Sequence, residues 1–154
     1  MNTYEQHLRA YLAEQHIQAE HLSLNQPCHS VAEAARAVNA SPADLVKSIC
    51  LLTSDGQLIT AIVKGEDRVN ISRIAQTLQQ EDLRLATPEE ILAKTGYPCG
   101  GTPPFGYPAT FLIDSKVIEQ EQVFAGGGSE TSLVKISTTE LIRANQGTIL
   151  RIRQ

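Results

Sequence analysis

A chain of 154 residues with 42% hydrophobic composition is long enough to bury the core of one ordinary domain, and a net charge of −4 is too small for a disordered polyelectrolyte. No apolar run approaches the roughly 18 residues that a membrane span needs, and Met1–His7 lacks the basic and apolar segments of a secretory leader. A cytoplasmic protein with no membrane partner is therefore expected, and the acidic balance excludes stand-alone, charge-driven capture of DNA or RNA.

In chain order, Tyr4, Leu8, Tyr11 and Leu12 fall at helical spacing and predict an amphipathic helix over residues 3–16. His21-Leu22-Ser23-Leu24 alternates like a short half-buried strand. Ser30-Val31-Ala32-Glu33 reads as a capping box opening an Ala-rich helix to Val38, which Ser41-Pro42 ends. Residues 48–52 and 58–63 are apolar arms around Ser54-Asp55-Gly56, a strong hairpin signal. A helix over Ile71–Leu78 and a strand over Leu83–Leu85 follow. Thr87-Pro88-Glu89-Glu90 then combines an N-cap, a first-turn Pro and a capping-box Glu, and Gly96 stops that helix. Beyond a Gly/Pro loop, residues 110–113, 123–124, 133–136 and 148–152 read as strands, with a helix near Thr139–Ala144 before the last. The hairpin excludes a purely parallel doubly wound sheet. The expectation is a single α+β domain over residues 1–154, with about seven strands in a curved mixed β-sheet flanked by four or five helices.

The usual catalytic constellations are missing. All four histidines lie within the first 29 residues, away from any loop that looks like a site, and Gly127-Gly128-Ser129-Glu130-Thr131 lacks the final Gly of a nucleophile elbow. No glycine cluster is followed by the Lys-Ser/Thr of a P-loop. Cys28, Cys50 and Cys99 form neither a disulfide framework nor a metal knuckle. Three features stand out instead. Gly96–Gly106 packs four glycines and three prolines into eleven residues, a bent, stiff loop able to aim backbone N–H groups at a carbonyl oxygen or an anion, and equally able to be a plain connection. Gly126-Gly127-Gly128-Ser129 reads either as a close-approach surface or as a turn. Lys47, at the edge of the first hairpin arm, is either a solvated end or a phosphate-binding cation. Arg143, Arg151 and Arg153 read as a solvated basic end that can alternatively touch RNA backbone.

In register, these features resemble the YbaK / prolyl-tRNA-synthetase-associated editing domain family. The signposts are Leu45–Leu51, Val63-Lys64-Gly65-Glu66-Asp67-Arg68-Val69-Asn70, Thr95–Gly106 with a GxxxP pattern at Gly100–Pro104, and Phe124-Ala125-Gly126-Gly127-Gly128. The resemblance covers nearly the whole chain. It implies trans-editing: hydrolysis of the ester of a mischarged aminoacyl-tRNA, of the Cys-tRNA(Pro) or Ala-tRNA(Pro) type, without a protein acid or base. By resemblance, Lys47 would bind the phosphates or terminal adenosine of the CCA end. Backbone N–H groups near Gly100 and Gly101 would hold the ester carbonyl, and a ribose hydroxyl would assist. Thr102, Pro104, Gly126, Gly127, Gly128 and Ser129 would contact the substrate. The implied partners are the tRNA acceptor end and prolyl-tRNA synthetase, which would supply the tRNA grip. No metal or organic cofactor is implied.

The cysteine-specific branch, in which the substrate's own thiol is believed to attack its ester, has a Tyr in the early strand and an Asp after the Gly-Gly stretch. Here those regions read Leu22-Ser23-Leu24 and Ser129-Glu130-Thr131-Ser132. Where many relatives have His after Pro-Phe-Gly, this chain has Tyr107. A non-catalytic aminoacyl- or nucleotide-binding module of the same fold is the alternative.

Overall fold

The computed structural model describes residues 1–28 and 30–154. It contains α1 (Thr3–Glu14), β1 (Ala19–Ser23), α2 (Val31–Ala37), β2 (Val46–Leu52), β3 (Leu58–Lys64), α3 (Ile71–Leu78), β4 (Arg84–Leu85), α4 (Pro88–Thr95), β5 (Thr110–Asp114), β6 (Gln122–Gly126), β7 (Ser132–Ser137), α5 (Thr138–Asn145) and β8 (Thr148–Leu150). Single 3-10 turns cover Pro42–Asp44 and Val117–Glu119.

The local signals act as their chemistry dictates. The Thr87 side chain accepts from the Glu90 N–H while the Glu90 carboxylate accepts from the Thr87 N–H, and Gly96 ends α4 at φ +83°. The Ser30 hydroxyl accepts from the Glu33 N–H, but the reciprocal half of the expected box is replaced by a contact between the two side chains. The β2–β3 hairpin closes over Gly56 at φ +84°.

The α+β class is as expected, with the strands divided between two sheets. One is mixed, in the order β4-β2-β3-β5-β8, antiparallel on the β2 side and parallel from β3 through β5 to β8. The other, β1-β7-β6, is antiparallel. A parallel bridge between Leu45 and Phe124 joins them, so the expected curve is a seam between two sheets. β3 is buried along its whole length, as its unbroken apolar run requires of a central strand.

The main core fills the angle between the sheets, where Leu8 and Leu12 of α1 meet Ile62, Ile113, Val123 and Val134. α3 covers the opposite face of the mixed sheet through Ile74, and α2 covers the seam through Ala34 and Ala35. The solvated basic end expected holds for Arg143 and Arg151, which are exposed, but not for Ile152 and Arg153. Ile152 is fully buried, and Asp114, also fully buried, accepts from the N–H groups of Ile152 (2.9 Å), Arg153 (3.1 Å) and Lys116 (3.0 Å) and from the Arg153 guanidinium (2.9 Å). The exposed Arg143 pairs with Glu140 at 2.6 Å on the surface.

Candidate functional site

Two glycine-bearing loops meet at the seam. The first, 96–106, is anchored by its aromatic residues: Tyr97 (1% exposed) lies edge-on to His7, and Phe105 (0%) stacks on Tyr11. The Pro103 and Pro104 carbonyls accept from the Tyr107 hydroxyl (2.6 Å) and the Asn145 amide (3.0 Å). The second, 126–129, lies against the first backbone to backbone. The Gly128 N–H donates to the Gly101 carbonyl at 2.7 Å, and a Cβ on Gly126 would stand 2.2 Å from the Thr102 carbonyl oxygen. A Cβ on Gly101 would stand 2.5 Å from the Ser129 nitrogen. Glycine is required here because no side chain fits between the loops.

Beside this junction lies a cavity of about 290 Å³. Lys47, Ser48, Gly65, Gly100, Thr102 and Gly126 form its polar and backbone wall, and α2 supplies a small apolar wall with Val31 and Ala34. Among its described lining residues there is no carboxylate or imidazole. The Lys47 ammonium donates to the Gly65 carbonyl at 3.3 Å and pairs with no carboxylate among the described residues. Burial lowers its pKa, as does the nearby charge of Arg68, with Asp67 acting in opposition. The Gly100 N–H makes no hydrogen bond to a described residue, whereas the Gly101 N–H is taken by the Pro98 carbonyl at 3.0 Å. The Ser48 hydroxyl is buried in the wall with no hydrogen-bond partner among the described residues.

Of the residues singled out in sequence, Lys47, Gly100, Thr102 and Gly126 therefore share one cavity. Gly101, Pro104, Gly127, Gly128 and Ser129 are buried and do not line it. Ser129 is held by its own network: its hydroxyl donates to Glu5 at 2.8 Å and lies 2.9 Å from the Ser132 hydroxyl, while Glu5 also accepts from Ser23 at 2.7 Å. Burial pushes the Glu5 pKa up, but the Ser23 and Ser129 donors outweigh it and hold the group below the ordinary value.

The histidines are not all remote from the glycine loops. His21 meets the Gly127 carbonyl through Nε2 at 2.8 Å, while its Nδ1 accepts from the Arg9 guanidinium at 3.1 Å. These partners fix the neutral Nε2–H tautomer. His29 lies outside the described residues. Sequence reasoning missed the α2 wall and Gly65; the signal was the single Gly in Lys64-Gly65-Glu66, whose Cβ would reach 2.6 Å from Val31. Among the described residues, no three His, Cys, Asp or Glu side chains gather as metal ligands would. No helix is long and apolar enough among them to cross a membrane.

The model of the aminoacyl-tRNA editing domain matches residues 25–144, which include every cavity-lining residue. The chain belongs to that family. The proline–tRNA ligase of Solidesulfovibrio magneticus is 31% identical over 110 residues, 70% of this chain and 19% of the ligase. That of Thermotoga neapolitana is 29% identical over 98 residues, 64% of this chain and 17% of the ligase. The editing-domain chain thus spans about a fifth of the length of these curated relatives. Among solved structures, a hypothetical protein is 27% identical with a TM-score of 0.87, the match covering 96% of this chain and 99% of that one. A proposed trans-editing enzyme for prolyl-tRNA synthetase shares the fold at a TM-score of 0.93 and 24% identity, covering 100% of this chain and 99% of that one.

Proposed function

We propose that this editing domain is a deacylase acting in trans in the cytoplasm, hydrolysing the ester of mischarged tRNA of the Cys-tRNA(Pro) or Ala-tRNA(Pro) type. One observation carries the reading. Lys47, whose ammonium pairs with no carboxylate among the described residues, Gly100, whose N–H makes no hydrogen bond to a described residue, and the bare backbone of Gly126 line one cavity. That set suits an anionic, ester-bearing end whose small aminoacyl group lies against Val31 and Ala34. Lys47 takes the phosphate or terminal adenosine. The Gly100 N–H donates to the ester carbonyl oxygen, where negative charge develops. Water adds to the carbonyl carbon, the bond to the ribose oxygen breaks, and that oxygen takes up a proton with help from the neighbouring ribose hydroxyl. In this reading the Gly101 N–H is not the second donor, because Pro98 already holds it. An acidic chain grips tRNA weakly on its own, so prolyl-tRNA synthetase is the proposed partner that presents the acceptor end.

The test follows ester loss from Cys-tRNA(Pro) and Ala-tRNA(Pro), with and without prolyl-tRNA synthetase, for wild type and Lys47→Ala. Wild type is expected to hydrolyse at least one. Lys47→Ala should lose at least about tenfold in kcat/KM, in line with one charge-assisted contact. Saturable binding without ester loss in any arm would replace the deacylase with the non-catalytic binding module.

A further inference from the structure

The cavity lies against an open stretch of sheet edge. Four consecutive residues of β2, Val46–Ile49, line it, although side chains on a strand alternate between faces. Along one edge β2 is paired with β3 over its whole length. Along the other, the pairings among the described residues are Leu51 and Leu52 with β4 and, just before the strand, the bridge from Leu45 to Phe124 of β6. Between β4 at one end and β6 at the other, no strand covers Lys47–Ile49.

The register fixes which residue turns its backbone into that gap. The N–H and C=O of one strand residue lie on the same edge, and the edge alternates from residue to residue. The Leu45 carbonyl accepts from the Gly65 N–H at 2.8 Å, on the β3 side. The Cys50 carbonyl accepts from the Ala86 N–H at 2.9 Å, on the β4 side. Ser48 has the parity of Cys50, so its N–H and C=O both point outward, toward the gap, and the sheet supplies neither with a ladder partner. Lys47 and Ile49, of opposite parity, face Val63 and Ala61 of β3. The Ser48 hydroxyl is also buried with no hydrogen-bond partner among the described residues. Polar groups in such a wall are costly unless something takes them, so this stretch is built to be paired by a ligand.

A donor and an acceptor on one edge match a ligand that carries an acceptor and a donor side by side in one plane. Adenine has that pattern: its N6 amino group donates and its N1 accepts. Val46 and Ile49, on opposite faces of β2, add apolar lining on either side of the strand's plane.

We infer that the open edge of β2 at Ser48 reads the base of the 3′-terminal adenosine. The Ser48 carbonyl accepts from the N6 amino group and the Ser48 N–H donates to N1, which leaves Lys47 to the phosphate and Gly100 to the ester. Ser48 is thus a specificity-determining residue that acts through its backbone. The inference rests on the deacylase reading for the choice of an adenosine, but base preference in binding can be measured without hydrolysis.

The test compares an RNA hairpin ending in unpaired CCA with one ending in CCI. Inosine carries O6 and N1–H where adenosine carries the N6 amino group and N1, so at Ser48 acceptor would meet acceptor and donor would meet donor. Binding at low salt is measured for wild type, Ser48→Ala and Ser48→Pro. Wild type should bind the CCA hairpin at least about fivefold more tightly, as expected when buried backbone groups lose their partners. Ser48→Ala keeps both backbone groups and should keep the preference. Ser48→Pro removes the N–H on the edge where no ladder bond is lost, and should lose most of the preference. Circular dichroism checks that this variant folds; if it does not, the two hairpins on wild type and Ser48→Ala decide alone. In the deacylation assay, charged tRNAs ending in A and in inosine should differ by a similar factor in kcat/KM. If the hairpins are distinguished and no ester is lost, the base site stands and the deacylase reading fails. If ester is lost equally from both tRNAs and the hairpins bind equally, the inference is overturned and the deacylase reading stands. It is overturned equally if wild type binds neither hairpin, or if a folded Ser48→Pro keeps the full preference.

Discussion

Replacing Gly126 by alanine tests whether the junction of the two loops is the structural basis of the site. The new Cβ would lie 2.2 Å from the Thr102 carbonyl oxygen and 2.8 Å from its carbon, both backbone atoms that no rotamer change can move aside. Reaching even a 3.0 Å contact needs about 0.8 Å of retreat. The same displacement would stretch the 2.7 Å bond from the Gly128 N–H to the Gly101 carbonyl to the edge of hydrogen bonding. Overpacking costs about 1–3 kcal/mol and the lost bond about 1 kcal/mol, for a total near 3 kcal/mol. In a domain of this length that lowers Tm by about 6–12 °C. Gly96→Ala is the matched control: at φ +83° it carries left-handed strain of about 1–2 kcal/mol, but its Cβ meets nothing within 4 Å. Thermal denaturation followed by circular dichroism, alongside the deacylation assay, should find Gly96→Ala modestly destabilised and active, and Gly126→Ala more destabilised and inactive. A Gly126→Ala protein no less stable than Gly96→Ala would refute the reasoning, because the loops would then have slack that their contacts do not allow.

Asp114→Asn leaves the Arg153 guanidinium without its charge partner and sets an amide against a cluster of donors; breaking such a buried pair costs about 3 kcal/mol, visible as a Tm drop of about 6–12 °C. Acid should destabilise the fold in two steps. His21, whose pKa is lowered chiefly by burial and also by the Arg9 charge, binds fewer protons folded than unfolded, so stability falls as pH drops below 6.5 toward its folded value. Glu5, also lowered, adds a second fall below 4.5. Urea denaturation from pH 8 to 4 should show the first fall in wild type and a flatter profile near pH 6 in His21→Gln; a wild-type midpoint that is constant or rises on acidification contradicts both assignments.

Much of the fold was legible because its signals are local. The Asp55-Gly56 turn and the Thr87–Glu90 box each act within four residues. The division into two sheets was not legible, since it depends on Leu45 meeting Phe124 and on β1 pairing with β7, and strand periodicity carries no information about which distant strand is the partner. The same distinction applies to the site. Lys47, Gly100 and Gly126 were singled out by the register of the family resemblance, since residue type alone left each open to a plain structural role. Ser129 lies inside the fold because its hydrogen-bond partner Glu5 is 124 residues away, a relation invisible in either segment alone. Arg153 looked like part of a solvated tail because its counter-charge, Asp114, lies on a strand 39 residues earlier.

The buried residues behind the cavity explain how a wall with no carboxylate or imidazole among its described residues can still serve the proposed chemistry. A backbone donor stabilises a developing oxyanion efficiently only if it need not reorient as charge appears. Here the second loop is fixed by the His21 contact with the Gly127 carbonyl, by Glu5 holding Ser129, and by the Gly128 N–H on the Gly101 carbonyl. The first loop is fixed by Phe105 and Tyr97 in the core and by side chains on the carbonyls of Pro103 and Pro104. Internal partners thus occupy the Gly101 carbonyl, the Gly101 N–H (through Pro98) and the Gly127 carbonyl, while the Gly100 N–H and the Ser48 hydroxyl have no hydrogen-bond partner among the described residues. The α1–β1 segment, which contributes no residue to the cavity, thereby sets the direction of the groups that do, and loosening it should impair positioning before it unfolds the domain.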